Sequence, residues 1–132
     1  MNPKIRFRSV TVLVLFLALA TAFVSGCVNV SGGGTAAKYV YLKGTLEATL
    51  EAGLDKAYRA SGDAVKDLQF AKISENKDAL LAIVVARNAA DKKIEIQLDK
   101  VSDTLTKAKI KVGTIGDESL SIAILEKIKA HL

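Results

Sequence analysis

Few side chains in this sequence could bond to a substrate or a metal ion. The 132 residues include one cysteine, one histidine and one methionine, and no tryptophan. A structural zinc site needs several Cys or His ligands and a disulfide needs two cysteines, so the composition excludes both. We therefore expect no metal and no cofactor, and the residue of most chemical interest is the single thiol, Cys27.

The other reactive groups do not suggest catalysis. A nucleophile needs a positioned base, yet His131 is the penultimate residue, where a chain end is expected to fray. A carboxylate pair could be drawn from acidic residues in predicted turns or on exposed helix faces, where solvated charge is the usual explanation. These residues are Asp55, Glu75, Asp78 and Asp91. The sequence thus predicts a protein that is not an enzyme.

The residues before Cys27 have the pattern of a secretory signal. Lys4, Arg6 and Arg8 precede an apolar stretch over residues 10–24, and the first 26 residues contain no acidic side chain. The stretch has 15 residues, whereas a helix that spans a bilayer core needs about 20. The pattern therefore favours a cleaved signal peptide over a membrane-spanning helix.

The apolar stretch ends in Val-Ser-Gly-Cys at residues 24–27, which resembles the lipobox of bacterial lipoproteins. Cleavage would fall between Gly26 and Cys27, and the thiol would take up a diacylglyceryl group. The alternative is a small apolar residue near the end of an uncleaved anchor. Several acyl chains hold a protein at a membrane essentially permanently. We expect a lipid-anchored protein of the bacterial envelope and, since Val28 and not aspartate follows, an outer-membrane location facing the periplasm.

Removing the leader would also remove much of the basic character. The formal net charge is +5, and residues 1–26 carry three basic side chains and no acidic one, which leaves +2 for the mature chain. Nucleic-acid binding needs a persistent basic patch and usually aromatic stacking platforms. We therefore expect no nucleic-acid partner, but the membrane, reached through the lipid on Cys27, and an envelope protein or polymer.

One folded domain is expected after the leader. Residues 27–37 contain three consecutive glycines and are typical of a flexible linker. Residues 38–132 have the length of a single small domain. From Val40 to Leu50 the apolar residues occupy even positions, as in a half-buried strand, although positions 46, 50, 54 and 58 would also line one helix face.

The remaining residues predict an α+β fold. A helix is expected to start at Gly53 with helical spacing over residues 54–68, where Gly62 suggests a close packing contact, and a last helix begins near Asp117. The even-numbered strand residues should be buried against the apolar residues of these helices, which are Leu54, Tyr58, Val65, Leu120, Ile124 and Ile128. Between them, four strands are separated by turn residues, and residues 80–86, apolar on both faces, should form the best-buried strand. We expect an antiparallel sheet of about five strands with two helices on one face, in the order β-α-β-β-β-β-α.

Three lysines on alternate positions, Lys107, Lys109 and Lys111, should share the exposed face of one strand. If the last two strands pair around a turn near residue 102, Lys109 lies opposite Glu95 and Lys107 opposite Gln97, which gives a mixed, solvated face. The alternative is contact with an anionic surface, such as lipid phosphate or lipopolysaccharide. Replacing the three lysines with glutamine and measuring binding to anionic vesicles would distinguish a solvated face from a contact with an anionic surface.

Two stretches resemble a known family. They are YVYLKGTLEAT at residues 39–49 and VGTIGDESLS at residues 112–121, the latter followed by Ile124 and Leu125. Together with the lipobox they are similar to small bacterial lipoproteins of domain-of-unknown-function family 3568. The resemblance implies a compact α+β envelope lipoprotein without an assigned activity, and it supplies no catalytic residues.

Two functions fit these expectations. The first is a non-catalytic binding or structural module of the envelope. The alternative is a carrier of a small apolar ligand or lipid, with a pocket between sheet and helices. An apolar cavity beneath the helices would favour the carrier, whereas a filled space would favour partner binding.

Overall fold

The computed structural model describes residues 38–132. The predicted leader, the lipidation site Cys27 and the predicted linker lie outside the described residues. Among the described residues, no helix is long and apolar enough to cross a membrane.

The described residues form six strands and two helices, which confirms the predicted α+β class with one strand more than expected. The elements are β1 (Tyr39–Leu42), β2 (Thr45–Leu50), α1 (Leu54–Asp67), β3 (Ala71–Lys77), β4 (Leu81–Arg87), β5 (Lys93–Lys100), β6 (Thr106–Val112) and α2 (Glu118–Ala130). The helix starts predicted at Gly53 and Asp117 are confirmed, since these two residues are the N-caps.

The additional strand arises because the stretch predicted as one strand folds into a hairpin. Lys43 and Gly44 have φ values of 50° and 78°, and positive φ at both central residues is typical of the type I′ turn that joins two antiparallel strands. Glycine adopts this conformation without steric cost, and a lysine does so less often. The sequence did not reveal this turn, because the apolar residues stay on even positions on both sides of it.

The hairpin reverses which residues of β1 face inward. Tyr41 pairs with Leu46 and Val40 pairs with Glu47, so odd residues of β1 share a face with even residues of β2. Val40 and Leu42 are 54% and 63% exposed. The prediction that these two residues are buried was wrong. After the two-residue turn, the odd-numbered residues of β1, and not the even-numbered ones, lie on the inner face of the sheet.

The sheet is antiparallel throughout, in the order β1-β2-β6-β5-β4-β3. Helix α1 connects β2 to β3 at the opposite side of the sheet and packs mainly on β4 and β5, while α2 packs on β2 and β6. The two helices also contact each other. Both therefore cover the same face, as predicted.

The core lies between this face and the helices. In β2, β4, β5 and β6 every buried residue has an even number, and these residues are Leu46, Ala48, Leu50, Ala82, Val84, Ala86, Ile94, Ile96, Leu98, Thr106, Ala108, Ile110 and Val112. The helices contribute Leu54, Ala57, Ala60, Ala64, Val65, Ile124, Leu125 and Ile128. Tyr58 and Leu120, predicted to be buried, are half-buried. The alanines of α1 permit close packing of the helix.

The prediction for residues 80–86 was only half right. The even residues of β4 are fully buried, but Leu81, Ile83 and Val85 on the other face are half-buried, and Leu80 is 68% exposed. The reason is that only one face of the sheet carries a covering layer. Apolar character on both faces of a strand does not reveal how many layers cover it.

Polar groups within the core are satisfied. Ser61 Oγ donates to the carbonyl of Ala57 at 2.9 Å, and Thr106 Oγ1 donates to the carbonyl of Ala52 at 2.8 Å. Within residues 38–132 no buried side-chain nitrogen or oxygen lacks a hydrogen-bond partner. Unpaired buried polar groups are costly, so this part of the chain contains no obvious strained polar site.

The close contact predicted at Gly62 is absent. A Cβ added at Gly62 would have no heavy atom within 4 Å outside the helix itself. Gly62→Ala should therefore stabilise the protein by about 0.5–1 kcal/mol, because alanine loses less backbone entropy in a helix interior. Urea unfolding followed by circular dichroism measures this change; an unchanged or lowered midpoint would show that Gly62 has a packing role.

Candidate functional site

The two stretches quoted for the family resemblance meet at one end of the sheet. The β1–β2 turn lies against the loop formed by residues 113–116, between β6 and α2. A Cβ on Gly44 would overlap the carbonyl oxygen of Ile115, and a Cβ on Gly116 would overlap the backbone of Gly44. Gly116 has φ 103°. The contact therefore requires glycine at both positions, and it fixes the loop against the hairpin.

The other end of this loop is fixed by the start of α2. Asp117 Oδ1 accepts the N–H of Leu120 at 3.1 Å, and Asp117 Oδ2 lies 3.2 Å from Lys92 Nζ. The hydrogen bond from Leu120, followed by the interaction with Lys92, holds the pKa of Asp117 below its usual value. Asp117 thus joins the β4–β5 turn to the N-terminus of α2.

Between these two attachments the loop presents Ile115 to solvent. The Ile115 side chain is 90% exposed, the most exposed of the large apolar residues in the described chain. Single exposed apolar residues are common on protein surfaces. Here the backbone on both sides of the residue is held in place, so the side chain is displayed from a defined position.

A surface cleft of about 840 Å³ lies beside this loop, at what we call the cleft end of the domain. Its walls are the loop and the ends of β4, β5 and β6. The charged lining residues are Arg87, Asp91, Lys92, Lys93, Glu95 and Lys111. Basic groups outnumber acidic ones, so the cleft favours anionic or mixed-charge groups on a ligand.

The charges of the cleft are paired locally and weakly. Arg87 Nη1 lies 2.9 Å from Asp91 Oδ1, and Lys93 Nζ lies 2.8 Å from Glu95 Oε2. All four side chains are at least 41% exposed, and exposed ion pairs contribute little to stability. A carboxylate or phosphate of a partner could therefore replace these acceptors at small cost. The charged groups of the cleft are thus accessible to a ligand.

Lys107, Lys109 and Lys111 share the outer face of the sheet, as predicted. The pairing of β5 with β6 is shifted by two residues from the expected register. Lys109 pairs with Gln97 and Lys111 with Glu95. The expected pairing of Lys109 with Glu95 was wrong because the connecting loop spans residues 101–105 and is centred beyond residue 102.

Two of these lysines form ion pairs across the outer face of the sheet. Lys107 Nζ lies 2.6 Å from Glu47 Oε2, and Lys109 Nζ lies 2.8 Å from Asp99 Oδ2. Burial pushes the pKa of Asp99 upward, but hydrogen bonds from Lys109 and Gln97 outweigh it and leave the pKa lowered. The pKa of Lys109 is correspondingly raised by the hydrogen bond to Asp99. The geometry resembles a mixed, solvated face, and contact with an anionic surface stays a prediction.

The candidate acidic residues each have a local partner. Asp55 pairs with Lys77, Glu75 with Lys72 and Asp91 with Arg87, and Asp78 caps a turn by accepting from the N–H groups of Leu80 and Leu81 at 2.8 Å. In residues 38–132 no group of three or more His, Asp or Glu side chains is placed to hold a metal ion.

His131 makes two contacts at the C-terminal end of α2, and fraying of the chain end stays a prediction. Its Nε2 lies 2.8 Å from Asp67 Oδ2, and its N–H donates to the carbonyl of Ile128 at 3.1 Å. This contact links the ends of α1 and α2. No serine or threonine hydroxyl among residues 38–132 makes a hydrogen bond to the imidazole.

Sequence reasoning did not find the cleft or the contact between the two glycines. The glycine contact joins two segments that are far apart in sequence, and the cleft joins residues between positions 87 and 95 to residues 111–116. The only available signal was that Gly44 and Gly116 lie within the two stretches that resemble the family.

A family model described as a protein of unknown function, DUF3568, matches residues 10–131. No curated protein matches the chain.

Gly44→Ala should destabilise the protein by about 2–4 kcal/mol, because alanine meets both an unfavourable backbone conformation and an occupied space. The measurement is urea unfolding, with Gly62→Ala as the matched control, since that change introduces the same methyl group into open space. Equal unfolding midpoints for Gly44→Ala and the unmodified protein would contradict the proposed contact.

Asp117→Asn should make stability less sensitive to acid. A lowered pKa in the folded state means that ionised Asp117 stabilises the fold above its ordinary pKa of 3.8, and that this stabilisation is lost as the pH falls through the folded value. Asparagine can still cap the helix but does not titrate. Thermal unfolding from about pH 6 to pH 2 should show a shallower fall in Tm for the variant. If Tm fell equally steeply with pH in the variant and the unmodified protein, ionised Asp117 would not stabilise the fold.

Proposed function

Because the chain belongs to the DUF3568 family, for which no function is described, we propose a function from the residues themselves. The protein is a lipid-anchored component of the bacterial cell envelope that acts by binding a partner and not by catalysis. The proposal combines the lipobox-like sequence at Cys27 with the surface chemistry of the folded domain.

The anchor is supported by the sequence before the domain. The lipobox-like residues end at Cys27, and the first described residue, Lys38, follows eleven positions later. A flexible linker of this length has a root-mean-square span of about 18 Å. A lipid on Cys27 would therefore hold the domain close to the membrane surface, available to partners in the same compartment.

The observation that carries the binding role is the filled space between sheet and helices. The inner faces of both layers are occupied by side chains that are almost fully buried, including Ile96, Ile110 and Ile124 at no more than 1% exposure. A carrier of an apolar ligand needs a cavity in this position. The cleft described above, and two smaller ones of about 500 and 520 Å³, lie instead on the surface and are lined largely by charged residues.

The cleft end offers the best surface for a partner. It combines the displayed apolar side chain of Ile115 with exposed basic groups such as Lys92 and Lys111. An apolar anchor surrounded by polar groups is the usual composition of a recognition surface. A partner with carboxylates or phosphates beside an apolar group fits this chemistry, whether it is an envelope protein or an envelope polymer.

Cys27→Ser should abolish the anchor, since serine has no thiol for the diacylglyceryl group. In cells, the variant should move from the membrane fraction to the soluble fraction or retain its leader, while Ser31→Ala, a change of similar size in the predicted linker, should remain in the membrane fraction. Fractionation followed by immunoblotting measures this. A Cys27→Ser protein that is processed and still membrane-bound would contradict the lipid anchor.

A further inference from the structure

The strand register places the start of the domain opposite the cleft end. Tyr39 pairs with Ala48, and the same end of the sheet continues through Leu50, Thr106 and Lys100, which pair in sequence across β2, β6 and β5. The chain therefore joins the domain at the end that carries the loops of residues 51–53, 78–80 and 101–105. We call this the linker end. The eight residues of β5 separate it from the cleft end by about 25 Å.

The turns of the linker end carry two largely exposed apolar side chains. Leu80 is 68% exposed and Val101 is 60% exposed. The N–H of Lys100 donates to the carbonyl of Leu80 at 2.8 Å, so the backbones of the β3–β4 turn and the β5–β6 loop are adjacent. We call these two exposed side chains, which lie on neighbouring turns at the same end of the sheet, the apolar tip.

Hydrogen bonds build both turns that carry this tip. Asp78 Oδ1 accepts the N–H groups of Leu80 and Leu81, both at 2.8 Å. In the other turn, the N–H groups of Val101 and Ser102 both donate to the carbonyl of Leu105 at 3.0 Å. The apolar tip therefore projects from defined turns and is not a consequence of loosely held chain.

The charges around the tip are largely neutralised. Lys100 Nζ lies 2.7 Å from Asp103 Oδ1, and Lys77 pairs with Asp55. With opposite charges paired in this way, the linker end should neither be strongly attracted to an anionic surface nor repelled from it. Any contact here must depend on the apolar side chains.

We propose that the tip formed by Leu80 and Val101 inserts into the surface of the bilayer that holds the acyl chains of Cys27. This inference rests on the proposed lipid anchor. Two partly exposed side chains are too few to bind a free domain to lipid, but a short linker raises the local concentration of the domain at the membrane to about the millimolar range. Under that condition a weak apolar contact becomes substantially occupied.

The contact gives the domain an orientation. With the linker end on the lipid, the strands stand away from the membrane, and the cleft end with Ile115 faces the aqueous compartment about 25 Å from the contact. A partner in that compartment would then meet the cleft directly. The proposed binding surface and the proposed membrane contact thus occupy opposite ends of one rigid sheet.

The test uses the lipidated full-length protein, reconstituted in phosphatidylethanolamine–phosphatidylglycerol vesicles that contain a lipid spin-labelled near the headgroup. An environment-sensitive fluorophore is attached to Val101→Cys, Ile115→Cys or Gln97→Cys, which report on the linker end, the cleft end and the middle of the outer face of the sheet. The emission of the label at position 101 should shift to shorter wavelength and be quenched by the spin-labelled lipid. The labels at positions 115 and 97 should show neither change.

A second pair of variants tests the side chain directly. Leu80→Ser, measured with the label at position 101, should lower the ratio of docked to undocked domain about tenfold, since burial of a leucine side chain changes an equilibrium by about that factor. Ile115→Ser with the same label is the matched control and should leave the ratio unchanged. At a salt concentration of about 1 M, charges are screened beyond about 3 Å, and the label at position 101 should still be in contact with the lipid.

The outcomes separate this inference from the lipid anchor. If the protein floats with vesicles but the label at position 101 stays as water-exposed as that at position 115, the membrane contact is wrong and the anchor stands. Quenching at position 97, or release by salt, would show that the lysine-bearing outer face is the contact and would also overturn the inference. A label at 101 that is shielded but not quenched indicates a protein contact and overturns it as well. If the purified protein has an unmodified Cys27 and does not float, both proposals fail.

Discussion

The packing of two helices against one face of a single sheet is the interaction on which the rest of the structure depends. Helices α1 and α2 cover the even-numbered residues of β2, β4, β5 and β6, and those residues form the core together with the inward-facing apolar residues of the two helices. Burial of this apolar surface is the main favourable term in folding. Because a shift of one residue in any pairing would turn these side chains outward, the same burial also fixes the register of the sheet and the position of every loop at its two ends.

Local patterns predicted much of this architecture, because alternation and helical spacing are properties of neighbouring residues. The helix starts at Gly53 and Asp117 and the inward faces of β5 and β6 followed directly from the pattern. The hairpin at Lys43 and Gly44 did not, since a lysine at positive φ has no marked signal and the alternation continues across the turn. The burial of β4 was misjudged for a different reason, which is that the number of layers covering a sheet is a property of the whole fold.

The candidate site was less accessible to sequence reasoning than the core. The contact between Gly44 and Gly116 joins positions separated by most of the domain, and only the folded backbone shows that neither can carry a Cβ. The same holds for the ion pair between Lys92 and Asp117. By contrast, the lipidation proposed at Cys27, which lies outside residues 38–132, rests on its immediate neighbours alone, because a processing signal is recognised as an extended segment and does not depend on a fold.

Together these features describe a domain with two different ends. The linker end carries an apolar tip, and the cleft end carries exposed charges and a displayed isoleucine, Ile115. Such a construction suits a protein that holds a binding surface at a fixed height above a membrane.

The central claim is that a lipid on Cys27 attaches this domain to the envelope. It is tested most directly by intact-mass spectrometry of the native protein purified from detergent-solubilised envelopes. The account predicts the mass of residues 27–132 increased by a diacylglyceryl group, with or without a further acyl chain on the new amino terminus. A mass that includes the leader, or a mature chain with an unmodified thiol, would contradict it.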